Sequence, residues 1–302
     1  MSSPAEEPPL PRPSVGEADR LLGVRRPVLG HGFVALMDYM GDDAAIVQAA
    51  RVSYGKGTKS VRDDRGLIRY LLRHRHTTPF EMVEFKFHAR MPIYVARQWI
   101  RHRSASVNEY SARYSVVPDE FDLPGPDRVR AQSTRNRQGR GEALPEAAVE
   151  RFRSELGRIQ QESYAAYQAA LEAGVARETA RLVLPLSAYT QWYWKIDLWN
   201  LFHFLSLRLD PHAQEEIRLF AAEMAALART VVPVAYDAFE EYQLSGVALT
   251  RREQVAIRAL LAGASVPEAC AKAELALEKE DGTPMKSGEG VEFLEKLSRL
   301  RD

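Results

Sequence analysis

Between Val83 and Tyr114 the chain changes periodicity twice, and this constrains the fold more than any other stretch. Apolar Val83, Phe85, Phe87 and Ala89 alternate with Glu84, Lys86 and His88. A period of two places one set of side chains on each face of a strand, so the segment reads as half-buried β structure. Pro92 then starts a helix running through Trp99 to about Arg101, since proline suits a first helical turn. The segment after it is polar and reads as a loop, because Ser and Asn offer the backbone alternatives to helix hydrogen bonds. A strand and a helix of this kind form a rigid unit from which a loop can hang, and function often sits on such loops.

That loop is rich in groups that grip anions. Arg101, His102 and Arg103 are consecutive, so their side chains leave the backbone in different directions. Arginine offers a planar, bidentate fork for phosphate or carboxylate. A plain basic turn fits the same composition. Upstream, Arg73-His74-Arg75-His76-Thr77-Thr78-Pro79-Phe80-Glu81 predicts a helix start, with Thr78 as N-cap, Pro79 first in the helix and Glu81 completing a capping box. Free N–H groups there would suit a phosphate, and a merely well-capped helix fits equally.

Arg101-His102-Arg103, seven residues and then Ser111 match the RHR-x7-S signature, and the chain resembles the flavin-dependent thymidylate synthases. Ala96-Arg97-Gln98-Trp99 and Asn108-Glu109-Tyr110-Ser111-Ala112-Arg113-Tyr114 carry the likeness further, and it extends from about Gly32 to about Gly246. The resemblance implies an α+β fold, with mixed helices around a small antiparallel-rich sheet. It implies reductive methylation of dUMP to dTMP, with methylenetetrahydrofolate as carbon donor and NADPH as reductant through tightly bound FAD. It also implies a homotetramer with shared active sites, while the single cysteine, Cys270, fits a reducing cytoplasm.

The site residues follow from the same likeness. His76, Thr78, Arg101, His102, Arg103, Glu109, Asp197, Leu198, Trp199 and His203 match flavin-contacting positions. Gln98, Trp99, Ile100, Arg101, Glu109, Tyr110, Ser111, Ala112, Arg113, Arg181 and Arg208 match the dUMP site. Arg113 is the favoured phosphate ligand, and Arg208 corresponds to the arginine that polarises the uracil ring. Asp197 and Trp199 stand where other members often show Asn and Arg, so only backbone contacts are expected to carry over there. A lone His203 on an apolar helix also fits a core histidine.

Composition narrows the rest. The 302 residues carry 41 Lys and Arg against 41 Asp and Glu, which is no electrostatic footprint for nucleic acid or an anionic membrane. The single cysteine, Cys270, excludes an intrachain disulfide and a cysteine-based zinc cluster. No neighbour in sequence would activate it, so it reads as a small core side chain. No G-x-G-x-x-G, P-loop or H-E-x-x-H occurs, and no metal is expected. The amino end is Pro- and Glu-rich without the apolar stretch of a secretory signal.

Three regions are expected: a loose arm or early strand over residues 1–30, a catalytic domain over 31–248, and a charged helical extension over 249–302. Strands are expected at Phe33–Met40 and Tyr189–Ile196, and helices from Asp42 to Ala50, from Asp63 with Leu67, Ile68, Leu71 and Leu72 inward, over 146–174, 177–184 and 198–208, and from Asp210 to about Tyr242. Residues 122–145, with Arg128, Arg130, Arg135, Arg137 and Arg140 among Gly and Pro, fit either a solvated insertion or a lid over an anion. Two rivals share these residues: a flavin reductase without a pyrimidine site, and a nucleotide- or RNA-binding protein.

Overall fold

The structure, a computed structural model, describes residues 12–52, 61–134 and 139–300. They fall into two compact units. One holds the described residues up to Gln132 and those from 139 to Leu244; the other holds those from Ser245 onward with Ser133 and Thr134.

The first unit is α+β, as expected. It opens with a one-turn helix α1 (Gly16–Asp19) and a short strand β1 (Arg26–Pro27). Part of the expected loose arm is therefore ordered: Ala18 is buried, and the Val15 amide donates to the Tyr39 hydroxyl at 2.6 Å. Strand β2 (Phe33–Met40) and helices α2 (Asp43–Val52) and α3 (Val61–Arg73) follow. α3 starts two residues before Asp63 and buries Ile68, Leu71 and Leu72, with Leu67 half-buried.

Next come β3 (Glu84–Pro92), α4 (Ile93–Trp99) and β4 (Ser106–Glu109). The alternation expected in β3 is present. Phe85, Phe87 and Ala89 are buried, while Glu84, Lys86 and His88 are half-buried on the other face. β4 corrects the expected loop. Its four residues are exposed, and they pair antiparallel with the far side of the sheet, Ser106 opposite Lys195 and Glu109 opposite Trp192. A short edge strand buries neither face, so it carries no apolar alternation to reveal it.

The Arg-rich segment forms a hairpin, β5 (Arg130–Gln132) with β6 (Arg140–Ala143), and Arg135 and Arg137 lie outside the described residues. Helix α5 (Glu146–Glu172) ends as expected at Gly174, whose φ of 80° favours glycine. The expected helix 177–184 divides into α6 (Arg177–Ala180) and a 3-10 turn, Arg181–Val183. Strand β7 (Tyr189–Asp197) feeds α7 (Leu198–Arg208) directly.

The expected helix from Asp210 to Tyr242 breaks into α8 (Glu215–Val231), α9 (Pro233–Phe239) and a wide π turn, Glu240–Leu244. Asp210 caps a local turn instead, accepting the His212 amide at 2.7 Å. Pro233 has no N–H to continue α8, and Val232 leaves the helical region with φ −129° and ψ 63°.

The sheet order is β1-β2-β3-β7-β4, every pair antiparallel. Its apolar face packs on α4, α7 and α8. Trp99 sits at the centre of that core, fully buried, with its ring 5.5 Å from Trp192, 5.4 Å from Trp194 and 5.2 Å from Phe204.

The second unit contains α10 (Arg251–Leu261), α11 (Val266–Lys272) and α12 (Glu289–Arg299). Thr250 and Ser265 each form a complete capping box with Glu253 and Glu268. Ala256, Ala269, Cys270, Leu275 and Phe293 make its small core. Cys270 is 1% exposed and burial raises its thiol pKa, so it is the inert core cysteine expected.

Candidate functional site

Candidate residues gather at both ends of α7 and on the segment Ser111–Tyr114. The α3–β3 turn stands at the start of α7. The chain leaves α3 through a Schellman motif: the His76 amide donates to Leu71 O at 2.9 Å and the Arg75 amide to Leu72 O at 3.1 Å. Arg75 takes the left-handed position, φ 58°, where glycine is usual and another residue costs about 1–2 kcal/mol. His76 and Thr78, just after it, are both exposed, with His76 stacked on Tyr70 at 6.0 Å.

The capping box expected there is absent. The turn is a 3-10 element of three residues, Phe80–Met82, with no side-chain cap. The Phe80 and Glu81 amides are both taken by the Thr77 carbonyl, because the chain must be extended again at Val83 to enter β3. Thr78 therefore faces solvent rather than the helix end. The Phe80 ring, 6.3 Å from Trp199, ties the turn to α7. Asp197 caps α7 itself, its carboxylate accepting from Asn200 N at 2.9 Å and Asn200 Nδ2 at 2.7 Å. Leu198 is buried in the core, so neither residue's side chain is free for a ligand.

At the other end of α7 lies the signature triplet. His102 is half-buried, edge-on to Phe204 at 4.8 Å and 6.1 Å from the exposed His203. Its Nε2 accepts from Arg208 Nε at 2.9 Å. Burial first, then the charges of Arg208 and His203, push its pKa down to about 4. His102 is thus neutral near pH 7, with its proton on Nδ1 and a lone pair for Arg208. Burial also lowers the Arg208 pKa. Arg101 and Arg103 flank it, exposed and without a hydrogen bond or ion pair among the described residues. Two unpaired guanidiniums beside a neutral imidazole fit an anionic group such as a flavin pyrophosphate.

The residues expected on and just after α4 resolve differently. Gln98 has a buried Oε1 with no hydrogen-bond partner, an acceptor that suits a ligand N–H. Trp99 is fully buried, backbone included, so it is a core residue and not one that faces a substrate, while Ile100 is exposed.

The third group follows β4. Glu109 accepts the Thr190 hydroxyl at 2.6 Å. Ser111 opens a tight turn: its carbonyl takes the Tyr114 amide at 3.1 Å and its Oγ the Arg113 amide at 3.3 Å. Tyr110 closes the loop through Val116 O at 2.8 Å, and Ala112 is half-buried. Arg113 forks onto Glu178, Nε at 3.1 Å and Nη2 at 3.0 Å. Arg181 Nε approaches the Glu178 carbonyl at 3.4 Å. The Arg113–Glu178 pair thus sets Arg113 against the helical segment that carries Arg181, sixty-eight residues further on. Sequence reasoning misses Glu178; its place between Arg177 and Arg181, one helical turn before the latter, is the available signal.

Residues 35–234 match the family model described as thymidylate synthase complementing protein, Thy1. The flavin-dependent thymidylate synthase of Gluconobacter oxydans is 54% identical over 260 residues, 85% of this chain and 86% of that one. That of a Thermus thermophilus strain is 59% identical over 236 residues, 78% of this chain and 85% of that one. Among solved structures, the UMP/dUMP methylase PolB of Streptomyces cacaoi, bound with 5-Br dUMP, superposes with a TM-score of 0.66. It is 35% identical, covering 72% of this chain and 98% of its own.

Proposed function

The chain belongs to the Thy1 family of flavin-dependent thymidylate synthases, and from that membership we propose how its residues share the conversion of dUMP to dTMP. The carbon comes from methylenetetrahydrofolate and the electrons from NADPH. FAD, when bound, supplies the hydride chemistry, and the protein binds, orients and polarises.

Arg113 and Arg181 receive the dUMP phosphate beside the Ser111–Tyr114 turn. The Arg113–Glu178 ion pair, which sets Arg113 against the helical segment carrying Arg181, is the observation that supports this assignment. Gln98 is assigned to dUMP from the family likeness, its buried Oε1 having no hydrogen-bond partner among the described residues. Ser111 is assigned to binding rather than attack: its Oγ accepts the Arg113 amide, and among the described residues no basic side chain is hydrogen-bonded to it. Arg208 faces the uracil carbonyl edge, where negative charge develops as C5 becomes nucleophilic. His102 holds it there by accepting from Nε, which leaves the terminal N–H groups for substrate. A neutral His102 performs this without repelling the guanidinium. Arg101 and Arg103 take the flavin phosphates, and His76, Thr78, Glu109, His203 and the backbone at Asp197–Trp199 complete the cofactor's surroundings.

A homotetramer with shared sites is part of the proposal. Two observations support it. The residues assigned to flavin spread along α7, from the His76–Thr78 turn at its start to His102 at its end, about 15 Å at 1.5 Å per residue. Beside Arg113 and Arg181, the side chains of Tyr114, Leu182 and Leu186 are exposed, which a partner subunit would cover. Among the described residues no helix is long and apolar enough to cross a membrane, and a cytoplasmic place in nucleotide synthesis is proposed.

The phosphate assignment is tested on Arg113→Ala and Arg181→Ala. Each should raise the KM for dUMP by roughly ten- to a hundredfold, the loss of one charged hydrogen-bond donor, with flavin content unchanged. An unchanged KM in both variants would remove these arginines from the phosphate site.

A further inference from the structure

Strand β7 holds the end of β4 in two ways. The Tyr110 amide donates to the Gln191 carbonyl at 2.8 Å, which carries the β4–β7 pairing one residue beyond Glu109. From the preceding residue of β7, the Thr190 hydroxyl donates to Glu109 Oε1 at 2.6 Å. The register explains the reach. Glu109 stands opposite Trp192, so Thr190 is its diagonal neighbour, two residues along on the same face of the sheet. Such a diagonal is about 7–8 Å, within the span of a long side chain.

The two partners differ in exposure. Thr190 is 6% exposed, whereas all of β4, Glu109 included, is exposed. Among the described residues this is the one hydrogen bond that either side chain makes. Valine would give the Thr190 position the same branched shape with no hydroxyl to satisfy, so the oxygen is what threonine adds, and Glu109 is where it is used. A glutamate free in solvent gives up its rotamer freedom when it grips a ligand. One whose Oε1 is already held by a stiff, β-branched side chain has given it up beforehand. Its Oε2 then stands ready for a donor on the ligand.

We propose that Thr190 is a positioning residue of the site, holding the Glu109 carboxylate so that its second oxygen accepts an N–H or O–H of the bound flavin or dUMP. Thr190 touches neither ligand and acts only through Glu109. The proposal rests on the assignment of Glu109 to the site made above.

The test compares Thr190→Val, Thr190→Ser and Glu109→Ala, and combines Thr190→Val with Glu109→Ala. The FAD dissociation constant is read from the fluorescence of flavin released on dilution, and KM and kcat for dUMP from steady-state dTMP formation. Thr190→Val should weaken at least one of the two ligands about tenfold, the scale of one hydrogen bond to a charged group. The ligand it weakens is the one that Glu109 meets; if that is dUMP, KM rises while kcat holds. Thr190→Ser keeps the hydroxyl and should stay within about threefold of the parent, the cost of a less restricted rotamer. In the double variant Thr190→Val should add nothing to the loss from Glu109→Ala, because its effect runs through the carboxylate. Thr190→Ala supplies a second chain without the hydroxyl, and it should lose affinity for the same ligand if Thr190→Val does not fold. Parent affinities in the chains without the hydroxyl, with Glu109→Ala weakened, would overturn the positioning role alone. A further loss in the Glu109→Ala background equal to that in the parent would overturn it too, marking Thr190 as structural. Parent affinities in Glu109→Ala would overturn both the role and the assignment of Glu109.

Discussion

Arg208→Ala isolates the step that distinguishes methylation from mere flavin binding. In the parent protein Arg208 Nε donates to His102 Nε2 at 2.9 Å, and the guanidinium is half-buried at the end of an apolar helix. In such a low-dielectric setting a charge placed against a developing anion is worth more than in water. Removing one preorganised donor of this kind costs about 2.7–4 kcal/mol, or roughly a hundred- to a thousandfold in turnover. The substitution should leave FAD content and NADPH-dependent flavin bleaching near the parent values. It should also move the His102 titration. Burial is the largest cause of the low pKa, with Arg208 second, so the value should rise from about 4 yet stay below the ordinary histidine range. Two measurements check this: single-turnover dTMP formation with flavin absorbance followed in parallel, and an NMR titration of the His102 ring. Equal loss of flavin reduction and methylation would mark Arg208 as structural. An unmoved His102 titration would refute the electrostatic coupling, and near-normal dTMP formation would refute the role itself.

Two further outcomes follow from other parts of the molecule. Arg103→Ala should release flavin, read as lost visible absorbance after gel filtration, since it removes one of two unpaired guanidiniums beside His102; full retention would move the phosphate site elsewhere. Asp43 is half-buried against the start of α9, accepting Val234 N at 2.8 Å and Ala235 N at 2.9 Å. Burial, the largest cause, raises its pKa to about 6. A raised carboxyl pKa contributes stability that is present below about pH 4 and lost as pH rises through 6, here on the order of 2–3 kcal/mol. Asp43→Asn should therefore gain on the parent between pH 4 and 7 in thermal melts, and an identical pH dependence in both proteins would refute the assignment.

Much of the fold is legible in the residues themselves, for physical reasons that differ by element. β3 and β7 show themselves because one face is buried, so alternation or aromatic content persists. β4 does not, because an edge strand with all four residues exposed has no pattern to read. The Thr78 capping box misleads because three residues before an obligatory strand leave no room for a helix, whatever their capping preferences. α8 and α9 read as one helix because apolar periodicity runs past Val232, and that periodicity hides the break at Pro233. In the site, the signature marks Arg101–Arg103 and Ser111–Arg113 correctly as neighbours in chain. It cannot show that Arg208 meets His102, nor that Arg113 meets Glu178, since such contacts are made by sheet register and helix packing between distant segments. The Arg-rich segment, ambiguous in sequence, has Arg128 and Arg140 committed to the Asp122 and Glu216 cluster.

The central claim is that methylation is flavin chemistry organised by arginines, with no protein thiol as nucleophile. Cys270 is the only cysteine in the chain and lies buried in the C-terminal unit. The decisive measurement is dTMP formation from dUMP by Cys270→Ala, with NADPH and methylenetetrahydrofolate each present or withheld. The account predicts turnover within about twofold of the parent when both are present and none when either is withheld. Collapse of activity in Cys270→Ala, with folding and FAD content intact, would contradict it.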